Sequence, residues 1–184
     1  LINATSVVGA GAVAGAAVPF LASWQPSAKA EAAGAPAIAD ISKLLPGEML
    51  IVEWRGAPIY IVKHSQESLD QINQNLSRLS DPDSLTDMQP EYARNELRSR
   101  KPGISVLSAV CTHLGCAPKF YPELGTTDFD SNWQGGFFCP CHGSKFDLAG
   151  RVYSGVPAPD NLAIPPHYFR DENILIIGED GEAV

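Results

Sequence analysis

The sequence predicts a mainly β, antiparallel domain interrupted by a helical insertion, carried behind one membrane-spanning helix and a flexible joint. Three observations lead there. No residue from Leu1 to Ala28 is charged. The second half of the chain is a succession of short apolar runs, punctuated by glycine and proline, that read as strands. All four cysteines and two of the four histidines fall in two short boxes, each just after such a run.

The totals fit this picture. A chain of 184 residues suits one domain and a tail. With 45% of the residues apolar, a real core can form. The net charge of −8 argues against nucleic acid as a partner, which needs a basic face. The chain opens on Leu1 rather than methionine, the expectation for a processed product. No internal repeat is evident.

Taken in order, the stretch "SVVGAGAVAGAAVPFLASW" is long enough to cross a bilayer, which needs roughly 20 apolar residues. Its alanines and glycines suit close packing against other membrane helices. Pro19 is tolerated near the end of such a helix, and Trp24 sits where an interfacial aromatic belongs. Small residues in "LAS" and "AKA" would also suit a signal peptidase, but a retained span is the expectation. The span is assigned to residues 1–24, with surrounding lipid as its partner. Residues 25–39, "QPSAKAEAAGAPAIA", show no wide apolar face at helical spacing and read as a linker that acts as a joint.

The folded domain is assigned to residues 40–184. "MLIVEW" and "PIYIVKH" are β-rich runs either side of a turn, a hairpin. "QESLDQINQNLSRL" places Leu69, Ile72, Leu76 and Leu79 on one helical face, with Ser65 as N-cap and Pro82 beyond the end. "PEYARNELRS" is a second short helix with Pro90 in its first turn. "ISVLSAVC" and "GGFFCP" are strands delivering Cys111 and Cys139, and "NILIIGE" is a final strand.

The first box, "CTHLGC", holds Cys111, His113 and Cys116. The second, "CPCHGS", holds Cys139, Cys141, His142 and Ser144. His64 and His167 lie elsewhere and are expected to be ordinary polar residues. Two cysteines with two histidines are a legitimate zinc set, but C-x-H followed by C-x2-H is not the usual finger spacing, and two cysteines are left over. A framework of disulfides alone uses the cysteines and leaves the paired histidines without a purpose. A third reading uses every residue: two thiolates on one iron, two imidazoles on the other, and a disulfide from the remaining pair. That is the donor set of a Rieske [2Fe–2S] centre.

The boxes resemble the Rieske family, and the extra cysteines narrow the resemblance to the high-potential type found in the cytochrome bc1 complex. Together with the tail and the "GVPAP" loop, they resemble the bc1 Rieske subunit of proteobacteria over essentially the whole chain. The resemblance implies a β-sandwich Rieske domain with cluster-binding loops at 111–118, 139–146 and 154–160. It implies one [2Fe–2S] cluster per chain, with Cys111 and Cys139 on the inner iron and His113 and His142 on the outer iron. Cys116 and Cys141 would be disulfide-bonded across the two loops. Ser144 would donate its hydroxyl to a bridging sulfide, and Leu114 would cover the cluster and offer an apolar docking face. Where many family members carry a tyrosine, this chain has Phe146, so one hydroxyl donor is missing and a potential at the lower end of the type is expected. "SGVPAPDNLAIPP" resembles the proline loop that shields the cluster, through Gly155, Pro157 and Pro159. Val156 is one residue more than the common form.

The implied function is electron transfer. The resemblance implies a subunit that would take one electron and a proton from ubiquinol, with His142 as the group that meets it, and pass the electron to cytochrome c1. Cytochrome b and cytochrome c1 are the implied partners, within a dimeric complex. The implied location is the inner membrane, crossed once, with the cluster domain on the periplasmic side. Another reading is the Rieske subunit of a different periplasmic oxidoreductase, similar to arsenite oxidase, that does not touch quinol. A third is a soluble carrier for an oxygenase, against which the uncharged tail and the extra cysteines both speak.

Overall fold

The structure is a computed structural model that describes residues 2–27, 30, 34–74 and 76–181. It divides into two compact units, residues 1–35 and 36–184. The first contains helix α1, Ile2–Ala22, which has no charged side chain. It is long and apolar enough to cross a membrane. Its two hydroxyls, Thr5 Oγ1 and Ser6 Oγ, both donate back to the Ile2 carbonyl, so they suit an apolar surround. The linker assigned to 25–39 lies partly outside the described residues. At its C-terminal end the assignment needs correction: residues 37–39 are part of a strand of the folded unit.

That strand is β1, Ala37–Asp40. The others are β2 (Met49–Trp54), β3 (Ala57–Lys63), β4 (Ile104–Ser108), β5 (Lys119–Gly125), β6 (Trp133–Phe138), β7 (Lys145–Phe146), β8 (His167–Phe169) and β9 (Ile174–Ile177). They form three antiparallel sheets of three strands each, ordered β1-β9-β8, β2-β3-β4 and β5-β6-β7. The β2–β3 hairpin appears as expected. Its turn is Arg55-Gly56, with φ of 52° and 74°, the left-handed pair that a two-residue hairpin favours.

Alternation along β3 explains how the sheets stack. Ile59 and Ile61 point to one side, where they share a core with Val106, Phe169, Leu175 and Ile177. Tyr60 and Val62 point to the other side, into a core with Leu107, Phe137, Phe146 and Leu162. The β2-β3-β4 sheet is therefore a middle layer, with the terminal strands on one face and the β5-β6-β7 sheet on the other. The expected sandwich thus carries a third sheet. Cys111 and Cys139 belong to that second core.

Between β3 and β4 lies the insertion, and here the two helices come out shorter than expected. Helix α2 spans only Gln66–Gln71, capped by the Ser65 hydroxyl accepting from Ser68 N–H. Buried Arg151 donates to the Ile72 carbonyl, so that carbonyl is taken by a side chain from far along the chain. Leu76–Arg78 is a separate 3-10 turn, and Leu79 pairs with Tyr153. The second helix reduces to the 3-10 turn Glu91–Ala93. Beyond it the Asn95 amide donates to the carbonyls of Tyr92 and Ser99, competing with helical bonding.

His64 and His167 are buried structural groups. His64 Nε2 lies 2.7 Å from Ser105 Oγ, and His167 Nδ1 lies 2.9 Å from the Pro165 carbonyl. Burial lowers each from 6.5 to about 4. Each is neutral in the fold and protonates more readily when unfolded. The stability they contribute is present above pH 6.5 and lost as pH falls toward 4, on the order of 3 kcal/mol per histidine. Urea unfolding across that window should show a falling midpoint, flattened by His64→Gln and His167→Gln. A midpoint constant between pH 6.5 and 4 would contradict the assignment.

Candidate metal centre

The two boxes fold as matching loops. In each, the first cysteine's carbonyl accepts from a glycine N–H, Gly115 N to Cys111 O at 2.9 Å and Gly143 N to Cys139 O at 2.9 Å. In each, the first cysteine's own N–H closes the loop, onto Cys116 O in one and Ser144 O in the other, both at 2.8 Å. Both glycines need positive φ, 83° at Gly115 and 77° at Gly143, which a side chain would oppose. The strands β4 and β6 run directly into these loops and carry Cys111 and Cys139 to the same end of the domain.

Cys116 and Cys141 form a disulfide that staples one loop to the other across 25 residues of sequence. Cys111 and Cys139 are the free cysteines, 3% and 1% exposed. Burial pushes the Cys111 thiol up, with Cys139 and the Ser144 hydroxyl next to it. The sulfurs of Cys116, Cys139 and Cys141 lie within 4.8 Å of one another. Two of those three are already bonded together, so that trio is not a metal site by itself.

The two histidine rings meet edge to face, centroids 4.6 Å apart. His113 is half-buried, and its Nδ1 is a buried nitrogen with no hydrogen-bond partner among the described residues. Such an atom costs free energy unless something accepts or shares its lone pair. His142 is exposed. Buried thiols not used in a disulfide, a buried ring nitrogen without a partner among the described residues and a second imidazole at the surface supply the donor types of a mixed sulfur–nitrogen metal centre.

A third loop closes the site. The Ala158 N–H donates to Ser144 Oγ at 3.0 Å, and Thr112 Oγ1 donates to the Asp160 carbonyl at 2.7 Å. The proline loop is therefore pinned to both boxes. Gly155 takes φ of 74° where it turns, and the extra residue, Val156, is half-buried against Tyr153 and Trp133. Leu114 is 71% exposed at the tip of the first box, so it is available for docking. The sequence reading missed Thr112. The signal was a hydroxyl between two expected ligands, and its partner lies in another loop.

A family model of the Rieske [2Fe-2S] domain matches residues 35–166. The chain belongs to the Rieske [2Fe–2S] family. It is 53% identical over 180 residues to the "Ubiquinol-cytochrome c reductase iron-sulfur subunit" of Allochromatium vinosum, covering 98% of this chain and 87% of that protein. The protein of the same name from Blastochloris viridis is 42% identical over 178 residues, covering 97% of this chain and 90% of its own. Among solved structures, a chain of "Hyperthermophilic respiratory Complex III" superposes with a TM-score of 0.53, covering 95% of this chain and 98% of that one. At 23% identity that match bears on the fold alone. The Rieske domain thus accounts for the cofactor, a [2Fe–2S] cluster.

Proposed function

We propose that this chain is the iron–sulfur subunit of a ubiquinol–cytochrome c reductase, accepting one electron and a proton from quinol and passing the electron to cytochrome c1. The observation that carries the reading is an exposed imidazole, His142, beside a half-buried one and two buried free thiols, in a chain whose relatives bear that name. Cys111 and Cys139 would hold one iron, His113 and His142 the other. When bound there, the cluster supplies a one-electron site whose potential is raised by exchanging two thiolates for neutral imidazoles.

The chain's own residues do the rest. The exposed edge of the His142 ring accepts the hydrogen bond of the quinol hydroxyl and takes its proton. Leu114 offers apolar surface to the quinol-binding partner. The Ser144 hydroxyl accepts from the Ala158 N–H, which leaves its own proton free to be donated toward the cluster's sulfur, where it would favour added negative charge. The pinned proline loop limits water on that side.

The partners in this reading are cytochrome b and cytochrome c1 in a dimeric complex. α1 crosses the inner membrane once and the cluster domain lies on the periplasmic side, where a disulfide persists. Residues before β1 act as the joint between quinol and haem. A stiff proline run in place of residues 30–36 is expected to slow turnover and leave the cluster's spectrum intact. Unchanged turnover would remove the joint from the account.

Phe146 is fully buried on β7. Phe146→Tyr is expected to raise the midpoint by roughly 40 mV, the equivalent of about 1 kcal/mol for one hydrogen bond favouring the reduced state. An unchanged midpoint would show that this position does not tune the centre. The function itself is tested by electron paramagnetic resonance of the reduced protein in its membranes. The line should shift when quinone is extracted, and an unmoved line would favour a subunit that does not meet quinol.

A further inference from the structure

We propose that in the unloaded chain Cys139 exchanges with the Cys116–Cys141 disulfide, so that the cluster itself keeps the staple in its native pairing. The inference rests on the assignment of Cys139 as a cluster ligand. Its physical basis is the closeness of three sulfurs. The Sγ atoms of Cys116, Cys139 and Cys141 lie within 4.8 Å of one another, and only Cys116 and Cys141 are bonded. Cys139 is 1% exposed and shielded from solvent, with that bond and the thiol of Cys111 as the sulfur groups beside it.

Exchange needs a thiolate, a disulfide within reach and a leaving sulfur that water can stabilise. A sulfur ligating iron has its lone pair committed and does not attack. Freed of iron, the Cys139 thiolate attacks Cys116 Sγ. A Cys139–Cys116 bond forms as the Cys116–Cys141 bond breaks, and Cys141 leaves as a thiolate that takes up the proton Cys139 gave to solvent. No oxidant or reductant is consumed. Cys141 is exposed and Cys116 is half-buried, so Cys141 is the better-solvated leaving group. Attack in the other direction would close a ring across Pro140 alone, whose fixed φ stiffens that segment. The product still has one disulfide joining the two loops, but it has lost a ligand.

The test uses the full chain in detergent, loaded and unloaded. Iron is removed by a chelator under anaerobic, non-reducing conditions, and free thiols are alkylated over time and located by peptide mapping. In the loaded chain Cys139 should resist alkylation; labelling it there would overturn the ligand assignment instead of the exchange. In the unloaded chain the label on Cys139 should fall and that on Cys141 should rise by the same amount, with Cys111 unchanged. Label that stays on Cys139, or appears on Cys116 in place of Cys141, would overturn the exchange while leaving the ligand assignment standing. Unloaded Cys139→Ser should never expose Cys141 to label. If that variant does not fold, the time course of the unaltered chain decides alone.

Discussion

Replacing Cys111, His113, Cys139 or His142 by alanine is expected to leave a chain with iron content near zero and no [2Fe–2S] absorption. The two cysteines are buried in the core beneath the loops, so no solvent ligand can readily take their place. His113 brings a buried nitrogen without a partner among the described residues. Cys116→Ala and Cys141→Ala make the contrast. They remove the staple and none of the proposed ligands, so iron should remain. The matching backbone bonds in each loop and the ties from Thr112 and Ser144 would still hold the loops. Their cost should appear in stability instead, about 3 kcal/mol from the entropy of a 25-residue loop, and less where the cluster already joins the same loops. Iron analysis and visible spectra of the six variants check this. Iron retained in a Cys139→Ala chain, or lost equally in a Cys116→Ala chain, would reverse the assignment.

The second large effect is expected at Arg151. Its side chain is 1% exposed, and its Nε donates to Asp147 Oδ2 at 2.7 Å. It also donates to the Ile72 carbonyl, which joins the insertion to the segment that follows the second box. Arg151→Ala leaves buried Asp147 without its hydrogen-bonded cation, with only the field of Arg98 remaining, and the Ile72 carbonyl without that donor. Breaking one side of such a pair costs about 3–5 kcal/mol. Asp147→Asn in the same chain should recover part of the loss, because the uncompensated charge is gone. Denaturant unfolding of the unaltered chain and the two variants measures it. A loss below about 1 kcal/mol, as for an exposed pair, would show that the network carries little.

Much of the site could be read directly from the sequence because its chemistry is local. Each box is a single tight loop after a strand, so its cysteines, histidine and loop glycine sit together in a few residues. The β2–β3 hairpin was legible for the same reason, with Arg55-Gly56 between two β-rich runs. What escaped notice depends on residues distant in sequence. β1 is Ala-rich and reads as linker; it is a strand because Ala37–Asp40 pairs with Ile174–Ile177 at the other end of the domain. β5 contains Pro122 and a register irregularity between Tyr121 and Leu124, which masks a strand pattern. Helix α2 shows the periodicity of a longer helix, yet a buried arginine from beyond the second box takes its carbonyl. The clamp of the proline loop onto both boxes is written in two hydroxyls, Thr112 and Ser144, whose partners are backbone atoms and leave no mark on the pattern of residue types.

The most direct measurement is electron–nuclear double resonance on the reduced chain, prepared with nitrogen-15 in its histidines. Coordination by His113 and His142 predicts two strongly coupled nitrogens, both lost with the iron when either ligand is replaced and both unaffected by His64→Gln or His167→Gln. A spectrum without strong nitrogen coupling would mean four sulfur donors, and a protein that binds zinc in place of iron would give no signal. Either result would contradict the account.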